Sequence, residues 1–196
     1  SFYVPSLSES ILYKRTTGFF SSNSLALASI GIISLLENEG KMQLITGVEV
    51  SEEDYQAMKT GIENKFLLNS FRDQIAEANG IHLDHLKLLA WMVSEERLEI
   101  KIAVMPKSSS GIFHEKVGIL EDKNGDKISF SGSINETAGG WLTNQEEFKV
   151  FRSWIPEENS YLMIDAEKFD KYWKNKIDAF SVINISDAIK QEILNI

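Results

Sequence analysis

The sequence contains no cysteine. That excludes a disulfide framework, a thiolate metal site and a cysteine nucleophile. It also fits a reducing compartment, so the expected location is cytoplasmic. No apolar run approaches the roughly 18 residues that cross a bilayer, which excludes a membrane-spanning chain. The first residues, Ser-Phe-Tyr-Val-Pro, lack the charged and then apolar pattern of a secretory leader. They also lack Met, and the expectation is that this is a piece of a longer protein. Positive charge is scarce: 20 Lys and Arg stand against 29 Asp and Glu, a net charge of −9. Taken alone, that speaks against a nonspecific nucleic-acid binder, which needs a basic surface. The distribution matters more than the sum. Residues 51–100 carry ten acids against five bases, whereas residues 101–127 carry five bases against four acids. The acidity lies largely in predicted helices that can face solvent away from a site.

What is present is ordinary globular composition, 43% hydrophobic and 25% charged, over 196 residues. There is no internal repeat, low-complexity segment or linker, so one domain is expected over 1–196. Residues 11–20 read as a strand running into a turn. Residues 24–37 are apolar nearly all round and read as a buried helix, ended by Glu39-Gly40 with Gly40 in the stop position. Residues 42–46 form a short strand closed by Gly47. Ser51 caps a second helix, with Tyr55, Met58, Ile62 and Phe66 on its inner face. A third helix covers 82–95 with Leu86, Leu89 and Met92 as its stripe, and 98–104 is a strand. Residues 114–121 and 127–133 flank Asn124-Gly125, a strong hairpin signal. Residues 146–154 alternate like another strand. A long helix is predicted over 157–180 with Phe169, Trp173, Ile177 and Phe180 inward, and a short helix from Ser186. This order predicts an α/β fold, a mixed β-sheet flanked by helices on both faces.

Three stretches carry candidate chemistry. In a strand, His114 and Lys116 project to one face, followed there by small Gly118. Ser133 and Asn135 share a face after the second hairpin strand. Asn144-Gln145-Glu146 opens the next strand. Together they offer an imidazole, an ammonium, a hydroxyl, a carboxamide and a carboxylate on neighbouring strands, the set a phosphodiester needs. Lys116 can neutralise a non-bridging oxygen, and Ser133 and Asn135 can donate to the phosphoryl oxygens. A neutral imidazole nitrogen can attack phosphorus. A carboxylate on the other ring nitrogen fixes the tautomer and stabilises the cation that forms.

The succession His114-x-Lys116, Gly132-Ser133-x-Asn135 and Asn144-x-Glu146 resembles the HKD signature of the phospholipase D superfamily. A weaker similarity over about residues 1–155 extends to the nuclease-like domains found beside DEAD/DEAH-type helicases and in restriction systems. It rests on Arg15-Thr-Thr-Gly18-Phe19-Phe20-Ser21, the Gly47 strand end and Gly132-Ser-Ile-Asn-Glu136-Thr137. The resemblance implies a layered α-β-α fold, with a motif core at 111–154 and C-terminal helices over 157–196. It implies His114 as nucleophile forming a covalent phosphohistidine, with Lys116, Ser133 and Asn135 on the phosphate and Glu146 orienting His114. No metal or other cofactor takes part in that step. The active site takes two motifs and this chain has one, so a homodimer is implied. DNA is the implied substrate, with a fused or associated helicase domain as a further partner and no membrane. One position departs from the family pattern. Glu121 stands where an Asp is expected five residues after the lysine.

Other residues stay open between two readings. Arg15 either touches a phosphate backbone or is a surface arginine. Asn144 is counted with the substrate contacts. Trp141, after Gly139-Gly140, either stacks on a base or packs the dimer. Glu147 competes with Glu146. His82 and His85, with Asp84 between them, offer only two ligands, too few for a metal site. Trp154 and Trp173 are expected in the core. Two copies of Lys116, with Lys107 and Arg152, are expected to make a local positive groove. The alternative functions are a catalytically weak DNA-binding or dimerisation module of the same fold and, ranked last, a lipid phosphodiesterase, since no basic amphipathic helix is evident.

Overall fold

The computed structural model describes residues 2–18, 31–50, 83–106, 113, 115–132 and 148–185. Its centre is a seven-stranded sheet. The strands are β1 (Ser10–Thr17), β2 (Lys41–Val50), β3 (Leu98–Pro106), β4 (Val117–Asp122), β5 (Lys127–Gly132), β6 (Phe148–Arg152) and β7 (Ser181–Asn184), in the order β6-β5-β4-β1-β2-β3-β7. β1, β2 and β3 run parallel, and every other neighbouring pair is antiparallel. The sheet is therefore mixed, as the element order predicts.

Helices cover both faces. On one face lie α1 (Tyr3–Ser8), α2 (residues 31–37) and α3 (Leu83–Ser94). Tyr3, Leu7, Ile32, Leu35 and Met92 from these helices join Tyr13, Met42, Leu44, Leu98, Ile100 and Phe130 from the sheet in one core. On the other face α4 (Pro156–Trp173) lays Phe169 against Ile45, Ala103, Val117 and Ile119. Both faces of β2 are thus buried, which is why Met42-Gln43-Leu44-Ile45 reads as nearly continuous apolar sequence. Polar pairs pin α4 to its face. Lys14 on β1 binds Asp170 at 2.8 Å, the hydroxyl of Ser129 on β5 donates to Asp165 at 2.7 Å, and Lys101 on β3 donates to the Trp173 carbonyl at 2.8 Å. Desolvation pushes the Asp165 carboxyl above its usual range, and the Ser129 hydroxyl only partly offsets it. Among the described residues no helix is long and apolar enough to cross a membrane.

Several expected elements are redrawn. α1 adds to the elements that the sequence pattern predicts; Pro5 sits in its first turn, where a missing N–H costs nothing. The C-terminal helix ends at Trp173, not at 180. Asn175 takes a left-handed conformation (φ 51°), the Lys176 N–H returns to the Lys171 carbonyl at 2.8 Å, and the Asn175 carboxamide oxygen accepts from the Val182 N–H at 2.7 Å. The chain then adds the unpredicted strand β7 beside β3. Ile177 and Phe180 still reach the α4 core from beyond this turn, which is why their spacing mimics a continuing helix. Trp154 is not core: it stands in the β6–α4 turn, 53% exposed. Trp173 does pack, stacked on Phe169 at 5.7 Å. The β4–β5 hairpin forms as expected, with Gly125 at φ 86°. The Asp122 carboxylate accepts from the backbone N–H of Asn124 and Asp126. Desolvation pushes that carboxyl up, but these bonds outweigh it and hold it below the usual range. The helices expected from Ser51 and from Ser186, and the side chains of Leu86 and Leu89, lie outside the described residues.

Among the described residues, the three longer helices each end on a left-handed residue that is not glycine: Glu39, Glu96 and Asn175. At the end of α2 the Glu39 and Gly40 N–H groups bond to the Leu36 and Leu35 carbonyls, a Schellman pattern with Glu39 in the strained position. Gly40 is needed for space instead. A Cβ there would sit 2.5 Å from a Leu35 methyl and 2.9 Å from the Ile11 carbonyl oxygen. α3 repeats the pattern, with Arg97 N–H on the Met92 carbonyl and Glu96 left-handed. Relieving that strain with Glu96→Gly is expected to gain about 0.5–1 kcal/mol, net of the extra glycine entropy. Thermal melting should rise by about 2 °C.

Candidate active site

The C-terminal ends of β1, β2 and β3, the start of β4 and the end of β5 meet on one edge of the sheet, the edge where open α/β sheets carry ligands. The candidate motif enters here. Ladder pairing of β4 begins only at Val117, three residues later than predicted, and Lys116 precedes the strand. The two-residue period nevertheless runs through this approach. Phe113, Glu115, Val117 and Ile119 all meet α4 or the core beneath it.

Each described residue of this approach is tied down. Phe113 is buried, edge-on to Phe180 at 5.3 Å and to Tyr172 at 6.1 Å. It can lie across β2 because residue 47 is glycine. A Cβ at Gly47 would stand 3.0–3.2 Å from the Phe113 Cβ, ring and carbonyl oxygen. Glu115 pairs with Lys168 of α4 at 2.7 Å. Lys116 is buried, and its carbonyl accepts from the Gly132 N–H at 3.4 Å, a long bond that sets the end of β5 beside it. The Val117 N–H donates to the Thr16 hydroxyl at 2.9 Å in a buried bond. Backbone pairing between β1 and β4 is last seen at Arg15 and Gly118, so the Thr16 side chain extends the attachment past the ladder. Desolvation lowers the Lys168 ammonium, but the bond and charge of Glu115 outweigh it, and the group titrates above the ordinary lysine value. Burial likewise pushes the Tyr172 phenol up, with Glu115 adding to the effect.

Thr16→Val keeps the shape and leaves the Val117 N–H buried without a partner. The expected cost is about 2 kcal/mol, a fall in melting temperature of about 4–8 °C. Thr16→Ser should retain most of the stability, and parallel thermal melts of the two variants check this.

Arg15 is not a surface arginine. It is 1% exposed, two residues before the end of β1, with its guanidinium 5.2 Å over the Phe130 ring. Arg152 does not join the motif. It is bound by both oxygens of Glu158, at 2.5 and 2.8 Å, and pairs in register with Ile128, near the far end of the hairpin from Gly132. Glu121 also lies at that far end, ion-paired to Lys127 at 3.2 Å. Five residues of strand, about 16 Å, separate it from Lys116, so the departure from the Asp pattern sits away from the motif. Of the other site residues read from the sequence, His114, Ser133, Asn135, Trp141, Asn144 and Glu146 lie outside the described residues, as do Lys107, Glu147 and His82. Among the described residues no group of three metal-binding side chains occurs. Sequence reasoning passed over Thr16, Phe113, Glu115 and Lys168. Only Gly47 carried a signal, as a glycine closing a strand.

No family model matches the chain, and no curated protein matches it. Solved structures do. NucT from Helicobacter pylori is 17% identical, with 93% of this chain and 88% of that one covered, at a TM-score of 0.49. Phosphatidylserine synthase from Haemophilus influenzae Rd KW20 is 12% identical, with 94% of this chain and 38% of that one covered, at 0.48. Nuc from Salmonella typhimurium, a phospholipase D family member, is 12% identical, with 93% and 89% covered, at 0.44.

Proposed function

We propose that this chain is a metal-independent phosphodiesterase, a nuclease acting on DNA, with its active site shared across a homodimer. An imidazole nitrogen of His114 attacks phosphorus, the bond to the leaving oxygen breaks, and the partner's His114 protonates that oxygen. Water then attacks the phosphohistidine, giving a phosphate monoester and returning free imidazole. Lys116 offsets the charge on the non-bridging oxygens, Ser133 and Asn135 donate to them, and Glu146 holds the His114 ring. Arg15, Asn144 and Trp141 serve the substrate, Arg15 as buried positive charge behind the strand ends. The natural setting is a helicase-linked or restriction/defence protein, which would supply the DNA affinity that a net charge of −9 withholds.

The observation that carries this reading is the complete succession HxK, GSxN and NxE. It is supported by the Gly132–Lys116 backbone bond, which sets the end of β5, where the second stretch begins, beside Lys116 of the first. The test is cleavage of single- and double-stranded DNA in EDTA by the purified chain, with His114→Ala alongside. Histidine-dependent cutting is expected. Cutting that needs added Mg²⁺ and survives His114→Ala overturns the reading. DNA binding without any cutting identifies a binding module instead, and faster hydrolysis of phosphatidylcholine vesicles than of DNA a lipid enzyme.

A further inference from the structure

The residues on either side of His114 are held from the same direction. Phe113 is wedged between Gly47 of β2 and the Tyr172–Phe180 pair, whose rings stand 5.2 Å apart. Glu115 is bound by Lys168, one turn before Tyr172 on α4, and the Lys168 ammonium also stands 5.9 Å over the Tyr172 ring. The next alternate residue, Val117, packs in the same core and is tied through its N–H to Thr16. The motif approach precedes the β4 ladder, so these side-chain attachments hold it where ladder pairing has not begun. α4 itself cannot slide, because Lys14–Asp170, Ser129–Asp165 and Lys101–Trp173 fix it to three strands.

We infer that α4 is part of the catalytic apparatus: Lys168, through Glu115, is a positioning residue for His114, and Gly47 with Phe113 is the fulcrum on the other side. This rests on the reading of His114 as the nucleophile. A nucleophile that must approach phosphorus in line gains rate from being held in one geometry, and a displacement of about 1 Å can cost up to about a hundredfold. Lys168 is engaged by Glu115, the neighbour of His114 in sequence, so its action on the nucleophile is indirect. The Glu115–Lys168 pair is half exposed, so its worth to global stability is small. Its effect should therefore appear in turnover rather than in melting.

The experiment compares the unmodified chain with Lys168→Met, Lys168→Arg, Glu115→Gln and His114→Ala in EDTA-resistant cleavage, together with hydrogen exchange of the peptide spanning 113–117. Lys168→Met and Glu115→Gln are expected to lower kcat by about 5- to 20-fold with KM within about twofold, the pattern of lost positioning. Exchange in 113–117 should quicken by about tenfold while peptides of β1 to β3 stay unchanged. Lys168→Arg keeps the ion pair and should restore kcat, a rescue that loss of packing alone would not give. Cleavage at the unmodified rate by Lys168→Met, beside an inactive His114→Ala, overturns this inference and leaves the proposed function standing. Unchanged exchange at 113–117 overturns it as well. Cleavage that survives His114→Ala, or its absence from the unmodified chain, overturns the proposed function and this inference with it.

Discussion

His114→Ala is expected to remove EDTA-resistant cleavage by at least about 10⁴-fold while leaving the melting temperature unchanged to within about 2 °C. The size follows from the mechanism. Without the imidazole there is no covalent intermediate, and the one-step attack by water must proceed without the nucleophile that divides the reaction in two. Lys116 and the hydrogen-bond donors would remain, so binding of DNA should persist and the loss should fall on kcat. The check is single-turnover cleavage of a labelled duplex and a labelled single strand, with DNA binding measured separately. Two further outcomes sharpen it. Mixing His114→Ala with an active-site-intact chain carrying a different tag should give mixed dimers with far less than half the activity if both histidines serve one site. Independent sites would leave such mixtures at half.

Gly118→Ala is expected to be the most damaging small substitution in the described fold. A Cβ at Gly118 would lie 2.1, 2.4 and 2.7 Å from three atoms of the Phe130 ring, far inside contact distance. The ring has nowhere to go. Phe2 and Tyr3 meet it edge-on at 5.5 and 5.9 Å, Tyr13 stacks on it at 6.5 Å, and Arg15 lies over it. Tyr13 is itself held, because its hydroxyl is hydrogen-bonded to that of Tyr3. Moving Phe130 therefore disturbs α1, β1 and β5 together. Overpacking of this kind costs about 3 kcal/mol or more, which for a chain of this length lowers the melting temperature by about 6–12 °C. Phe130→Leu in the same chain should recover part of the loss, a coupling of about 1–2 kcal/mol in a double-mutant cycle. A second glycine supplies the contrast. Gly125 has nothing within 4 Å of a built Cβ but a φ of 86°. Gly125→Ala should cost only about 1 kcal/mol, through backbone strain. A melting curve for Gly118→Ala that matches Gly125→Ala would show that Phe130 yields more readily than its four neighbours imply.

Gly118 also shows how unevenly the sequence discloses its reasons. In sequence it reads as the small residue following His114 and Lys116 on one strand face. In the structure it is small because an aromatic ring on the next strand occupies its side-chain space. Gly40 is the mirror case: it reads as a helix stop by conformation, whereas Glu39 takes the left-handed turn and Gly40 yields room for Leu35 and Ile11. Trp154 looks like core by residue type, but the β6–α4 turn leaves it facing solvent. Phe169, Trp173, Ile177 and Phe180 follow a helical spacing that the backbone abandons at Asn175, because apolar residues before and after a turn can reach the same core. Periodicity records which residues are buried together and is blind to the turn between them.

The amino-acid sequence alone determined the mixed α/β class, the hairpin at Asn124-Gly125 and the succession of HxK, GSxN and NxE. Each of these is written in local pattern: alternation, helical spacing, turn chemistry and the order of polar residues. The tertiary structure decided what those patterns touch. It buried Arg15 against Phe130, turned Arg152 and Glu121 to the far end of the hairpin, and added β7 at an edge. It also joined residues more than 50 positions apart, Glu115 to Lys168 and Thr16 to Val117, around the segment where the motif enters the sheet. Such pairs leave no trace in spacing, because a hydrogen bond or ion pair between distant elements depends on where the chain returns and not on which residues are neighbours along it.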